Sequence, residues 1–213
     1  MIILRIDDVG RRPADTPEIG TDNNLTYFAH FRKLAGLTGV PVYYGVVPAW
    51  INTEGIEWIR EYLEGDEKIA IHGHDHRYNA KISIKQMQQS MGIFNATTYI
   101  PPFNYYTDND LTNWYQAGGK YWLGGRDQEH HQHGEDPVIV NDVVHFSACW
   151  PLYGRANELL KTFKTVKLSP FAPKVMTLHV PWENDPRDVK LLIEAVAPYL
   201  TTIEKIKGLF GWP

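Results

Sequence analysis

Short apolar runs alternate with helix-like segments along the whole chain, and this alternation is the strongest limit on its fold. Ile2–Ile6, Val40–Val47, Lys68–Ile71, Thr97–Ile100, Lys120–Leu123 and Lys174–Val180 read as buried strands. Residues 22–37 read as a helix, with Asp22 as its cap and Leu25, Phe28, Phe31, Leu34 and Ala35 on one face. Thr53–Leu63, Ser83–Met91, Leu111–Ala117, Ala156–Phe163 and Pro186–Tyr199 continue the helical series, and Val138–Val140 and Val143–Phe146 are short strand candidates. Strands and helices in this order imply βαβ units and a parallel sheet. The expectation is an α/β fold, a distorted and incomplete (β/α) barrel of about seven parallel strands, with a doubly wound open sheet as its rival. In either architecture the chemistry sits beyond the carboxyl ends of the strands. The length suits one catalytic domain over residues 1–213.

Composition removes several classes of function. The chain is 43% hydrophobic and 22% charged, which permits a real core. Its net charge of −4 and the lack of any basic cluster argue against a nucleic-acid partner. Met1-Ile2-Ile3-Leu4 is too short for a signal peptide and runs into Arg5 and two aspartates. No apolar stretch reaches the ~20 residues of a membrane span. The expected location is the cytoplasm, with no membrane span. Cys149 is the single cysteine, so no intrachain disulfide forms, and it reads as a small buried hydrophobe.

Three strand ends carry polar groups. Asp7-Asp8 follows the first strand, His72-Gly73-His74-Asp75-His76 follows Ile69-Ala70-Ile71, and His179 closes the run from Val175. In a continuing strand His72 and His76 would lie about 13 Å apart, too far to share an ion. If the chain turns helically after Ile71, residues i and i+4 come within about 5–6 Å at Cβ. Neutral imidazoles at that spacing chelate a divalent ion, whereas a histidine-rich surface turn is the plainer alternative. Gly73 helps the chain leave the strand, and His74 then points elsewhere. Two adjacent carboxylates near one cation can divide the work. One binds the ion and the other takes a proton from water, whose pKa a divalent ion lowers from about 15.7 to about 7. Asp-Asp as a turn or helix cap is the competing reading.

Four segments taken together resemble the motifs of the polysaccharide deacetylase family, the NodB-homology domain of carbohydrate esterase family 4. Arg5-Ile6-Asp7-Asp8-Val9-Gly10 resembles Thr-Phe-Asp-Asp-Gly. His72-Gly73-His74-Asp75-His76 resembles His-(Ser/Thr)-x-x-His, Tyr99-Ile100-Pro101-Pro102-Phe103 resembles Arg-x-Pro, and Thr177-Leu178-His179 resembles Leu-x-His. Each motif is short, and their order over residues 5 to 179 carries the resemblance. It implies a NodB-like barrel and a divalent metal, usually zinc, held by Asp8, His72 and His76. It also implies Asp7 as general base, His179 as general acid and the Phe103 backbone N–H as an oxyanion donor. The implied activity is removal of N-acetyl groups from a sugar or polysaccharide. Hydrolysis of a non-sugar amide on the same fold is the alternative, and a silent glycan-binding module is a third.

The chain departs from those motifs in places. The arginine of the third motif falls at Ile100, which removes a charge partner for Asp7. Gly73 stands where Ser or Thr is usual, and Thr177 stands for Leu. No fourth motif is evident, and Asp127 and Asp142 are candidates to orient His179. Pro102, Asn104, Tyr105 and Trp182 are candidate substrate contacts, with Tyr105, Tyr106 and Trp182 suited to stacking on a sugar ring. His130, His131 and His133 read as a polar loop over the site rather than a second metal centre. Trp50, Trp58, Trp114 and Trp122 read as core.

Overall fold

The computed structural model describes residues 1–10, 23–77, 82–124, 137–140, 142–146, 148–169, 173–179, 185–210 and 212. Its elements alternate as expected: β1 (Ile2–Val9), α1 (Asn23–Leu34), β2 (Val42–Val46), α2 (Thr53–Tyr62), β3 (Glu67–Ile71), α3 (Ile84–Phe94), β4 (Thr98–Tyr99), α4 (Asp108–Ala117) and β5 (Tyr121–Leu123). There follow β6 (Val138–Val140), β7 (Val143–Phe146), β8 (Ala148–Tyr153), α5 (Ala156–Phe163), β9 (Lys174–His179), α6 (Pro186–Val196) and α7 (Ile203–Phe210).

The strands form one sheet in the order β6-β7-β5-β4-β3-β2-β1-β9-β8. Every neighbouring pair is parallel except β6 and β7, which form an antiparallel hairpin. The run from β1 to β5 steps one place at a time in one direction, as it does in a β/α barrel. Nine strands exceed the expected seven, and among the described residues no pairing joins β6 to β8 to close a barrel. The one strand that no expected segment covers is β8. Its Pro151 lowers strand propensity, but β8 is an edge strand, where a residue without an N–H donor is tolerated. The final helix α7 also goes beyond the expected elements.

The pleat sorts the side chains into two faces. Ile2, Leu4 and Ile6 of β1 join Val42, Tyr44, Val46, Ile71, Met176 and Leu178 in the larger apolar cluster, packed beneath helices α1 to α6. Ile3 points the other way, with Tyr43, Ala70, Ile100, Leu123, Val144, Phe146 and Val175, and α7 seals that second cluster with Ile203 and Ile206. Arg5, Asp7, Thr177 and His179 share the parity of this inner face and are buried. Local signals set the helix ends. Asn52 caps α2 through a 2.8 Å bond from the Gly55 N–H, and Ser83 and Gln86 form a capping box on α3. Thr107 and Asp110 start α4 three residues before the expected Leu111.

On the outer face Arg32 of α1 makes a two-pronged bond to Glu67 of β3, at 2.5 Å on each prong. The Tyr44 hydroxyl donates to the same carboxylate at 2.8 Å. Removing one partner of a buried ion pair leaves the other charge unpaired, at a cost of about 3–5 kcal/mol. Glu67→Ala is therefore expected to lower stability by about that amount in urea unfolding, and a loss below about 1 kcal/mol would show that α1 does not depend on this knot.

Candidate metal and catalytic site

The polar strand ends meet at one edge of the sheet. Asp7 and His179 are register partners on the adjacent parallel strands β1 and β9. Strict alternation would turn Asp8 away from its neighbour. The backbone at Asp8 instead enters the left-handed region, with φ of 63°, and the β1–β2 register shifts between Ile6 and Val9. That break brings Asp8 to the two histidines after β3.

His72 and His76 come together by a different route from the expected helical turn. The chain leaves β3 irregularly and bends at His74-Asp75, with Gly73 at φ 72° and His76 at φ 56°, and the imidazole centroids lie 4.8 Å apart. A Cβ on residue 73 would lie 2.6 Å from Cγ of Pro102, so Ser or Thr would not fit against this proline. His74 leaves the cluster, and its Nδ1 lies 3.2 Å from the Ser90 hydroxyl.

The donor set fits a divalent cation. One ligand atom from each of Asp8, His72 and His76 lies within 4.8 Å of the other two. His72 Nδ1 is 3.0 Å from the carbonyl of Ile100, an acceptor that places the proton on Nδ1 and leaves the Nε2 lone pair facing the site. That Nε2 is buried and has no hydrogen-bond partner among the described residues. Asp8 Oδ1 lies 3.4 Å from it and 3.0 Å from His76 Nε2. Acceptors so close repel unless a proton or a metal ion lies between them. Burial pushes the Asp8 carboxyl up, but the two imidazoles of His72 and His76 beside it outweigh burial and hold the group well below the usual carboxylate range.

His76 is itself packed, with Trp50 at 5.0 Å and Phe103 at 4.7 Å between ring centroids. Trp50 thus flanks the site, whereas Trp114 and Trp122 are core as expected and the half-buried Trp58 stacks on Tyr62. Phe103 is 55% exposed and, like Asn104, has positive φ. Four of the six non-glycine residues with positive φ among the described residues are Asp8, His76, Phe103 and Asn104, and such strain gathers at functional sites.

Asp7 has the cationic partner that Ile100 seemed to remove. The guanidinium of Arg5, two residues earlier on the same strand face, lies 2.9 Å from Asp7 Oδ2. The signal in the sequence was a lone arginine inside an otherwise apolar buried strand. Asn104, expected at the substrate, gives its amide oxygen to Arg5 at 2.6 Å. His179 Nε2 is 3.7 Å from Asp7 Oδ2. Burial pushes the His179 pKa down to about 4, against the upward pull of Asp7 and Asp8. Asp142 does not orient His179. It is exposed in the β6–β7 turn, at the amino end of β7 and on the far side of the sheet. Pro102 and Tyr105 line a cavity of about 390 Å³ with Tyr99, Tyr106, Asp110 and Trp122. Trp182, Asp127, His130, His131, His133 and the Cys149 side chain lie outside the described residues.

Two outcomes follow from this geometry. Asp8→Ala and His72→Ala should each sharply reduce divalent-metal uptake in equilibrium dialysis, and unchanged uptake would remove the site. The second concerns pH. As pH falls from about 6.5 to about 4, the unfolded chain protonates His179 while the folded chain resists. The stability held above pH 6.5 is therefore lost as pH falls through 4, and His179→Gln should flatten that part of the urea-unfolding profile.

No protein-family model matches the sequence. No curated protein matches it. Solved structures do match in fold. A family 4 acetyl xylan esterase from Clostridium thermocellum, in complex with a cobalt ion, has a TM-score of 0.58 at 14% identity, covering 100% of this chain and 92% of its own. A Mycobacterium smegmatis protein assigned as a polysaccharide deacetylase has a TM-score of 0.66 at 14% identity, covering 97% and 88%. A family 4 pseudoenzyme from Bacillus anthracis has a TM-score of 0.53 at 12% identity, covering 96% and 64%. At such identities the likeness speaks for the fold alone, and the chain has the α/β fold of the carbohydrate esterase family 4 polysaccharide deacetylases.

Proposed function

We propose that the protein is a metal-dependent hydrolase that removes acetyl groups from the nitrogen of a sugar or polysaccharide. The observation that carries this reading is the pairing of Asp7 with His179 on adjacent strands, beside the Asp8, His72 and His76 cluster. A binding module has no need of a proton acceptor and a proton donor facing one ligand set. Asp8, His72 and His76 would hold the ion, with zinc the first candidate for a site of two imidazoles and one carboxylate. A bound divalent ion supplies a Lewis acid that polarises the amide carbonyl and makes water acidic.

The remaining work falls to the side chains. Asp7 takes the proton of the attacking water. His179 is neutral at rest, since burial holds its pKa near 4. The proton it delivers is the one Asp7 takes from water; Nε2 and Asp7 Oδ2 stand 3.7 Å apart, so a small shift of either side chain is needed before a proton passes between the two residues. His179 then protonates the departing nitrogen, which cannot leave as an amide anion. The Phe103 backbone N–H is the proposed oxyanion donor, an element typically worth about 10²–10³ in rate. The cavity lined by Pro102 and Tyr105 has aromatic and polar walls but includes none of Asp7, Asp8, His72, His76 and His179, so a sugar ring would reach the site across its Pro102 rim. Tyr105 is its candidate stacking residue.

The test is acetate release from N-acetylated glycans by protein loaded with zinc. Asp7→Asn and His179→Ala are each expected to reduce kcat by about 10²–10⁴-fold. Full activity in both variants would end the assignment. Turnover confined to small non-sugar amides would keep the chemistry and remove the sugar. Glycan binding with no turnover under any divalent metal would make the chain a binding module.

A further inference from the structure

We infer that Arg5 is the positioning residue for Asp7, holding one carboxylate oxygen in a clasp closed by Leu123, Asn104 and Gly124. The inference rests on the reading of Asp7 as the base and adds how that base is aimed.

Arg5 lies at the middle of a wholly buried strand and is itself 0% exposed. Taking a guanidinium out of water costs several kcal/mol unless it is paired and hydrogen-bonded. Here its two terminal nitrogens bond to three segments, while Nε is buried with no hydrogen-bond partner among the described residues. Nη2 donates to Asp7 Oδ2 at 2.9 Å and to Asn104 Oδ1 at 2.6 Å, and Nη1 donates to the Leu123 carbonyl at 2.5 Å. The clasp therefore ties β1 to the turn after β4 and to the end of β5. The space for it is reserved in the backbone. A Cβ on Gly124 would sit 1.9 Å from Arg5 Nη1 and 2.9 Å from Asn104 Oδ1, distances at which no side chain fits. Gly124 also has φ of 95°, a conformation that disfavours any other residue.

The clasp treats the two oxygens of Asp7 differently. Oδ2 faces Arg5, whereas Oδ1 is buried and has no hydrogen-bond partner among the described residues. Holding one oxygen fixes the plane of the carboxylate and so the direction of the other. A structural ion pair would be expected to engage both, as Glu67 does with Arg32 on the outer face. The arrangement also suits the turn at Phe103-Asn104, whose two left-handed residues are secured on one side by the bond to Arg5.

The experiment compares wild type, Arg5→Met, Arg5→Lys and Gly124→Ala in acetate release, with metal content measured on each. A misplacement of about 1 Å is worth about 10²-fold in rate. Arg5→Met should therefore lose about that factor in kcat, with KM and metal content unchanged, and Arg5→Lys should recover part of it. Gly124→Ala, which keeps the arginine but displaces it, should fall between wild type and Arg5→Met, and it decides the matter if Arg5→Met does not fold. In an Asp7→Asn background Arg5→Met should cause no further loss, because the group it aims is gone. Retained kcat in Arg5→Met and Gly124→Ala, or losses that add fully to that of Asp7→Asn, would overturn the inference. Absence of turnover in metal-loaded wild type would instead overturn the deacetylase reading beneath it.

Discussion

Ionisable groups on the inner face of the sheet sit inside a wall of apolar side chains, and the cost of burying them organises what surrounds them. Arg5, Asp7, Asp8, His72 and His179 are all buried beside Ile3, Ile100, Leu123 and Val175. None is tolerable there alone. Arg5 neutralises Asp7, and the Ile100 carbonyl takes the proton side of His72. Asp8 and the two imidazoles require a cation or protons among them. Each requirement selects a neighbour. Ile100, apolar in its side chain, contributes through its backbone oxygen, and Gly124 contributes through the side chain it lacks.

Backbone strain is the means by which these groups are brought together. A regular strand presents every second residue to a given face, so Asp7 and Asp8 belong to opposite sides until the chain breaks at Asp8. The same device appears at His76 after β3 and at Phe103-Asn104 after β4. Left-handed conformations of this kind cost of order 1–3 kcal/mol each and persist where surrounding contacts over-determine them. Trp50 and Phe103 against His76, and Pro102 against Gly73, supply such contacts here.

Much of the fold was legible because its signals are local. Apolar runs marked β1 to β5 and β9, and Ser83 marked the start of α3, whereas the Thr107–Asp110 capping pair that starts α4 was passed over in favour of the apolar residues from Leu111. The ligand-like residues were legible too, since Asp8, His72 and His76 stand at strand ends where a parallel α/β fold gathers its chemistry. Strand β8 was hidden by its proline, whose tolerance depends on an edge position that no local pattern announces. The geometry of the histidine pair was also hidden. A helical turn and a glycine-led bend both bring residues four apart together, and the packing of Pro102 against Gly73, which leaves no room for a side chain there, is a contact between distant segments.

The sequence by itself determined an alternating α/β chain and the residue types that cluster at its strand ends, because hydrophobic periodicity and residue chemistry are properties of short segments. Only the tertiary structure decided that Arg5 pairs with Asp7, that Asn104 turns to that arginine, and that Asp142 lies on the far side of the sheet from His179. Those outcomes depend on strand order and on which side chains share one buried face, and both are set by contacts between residues far apart along the chain.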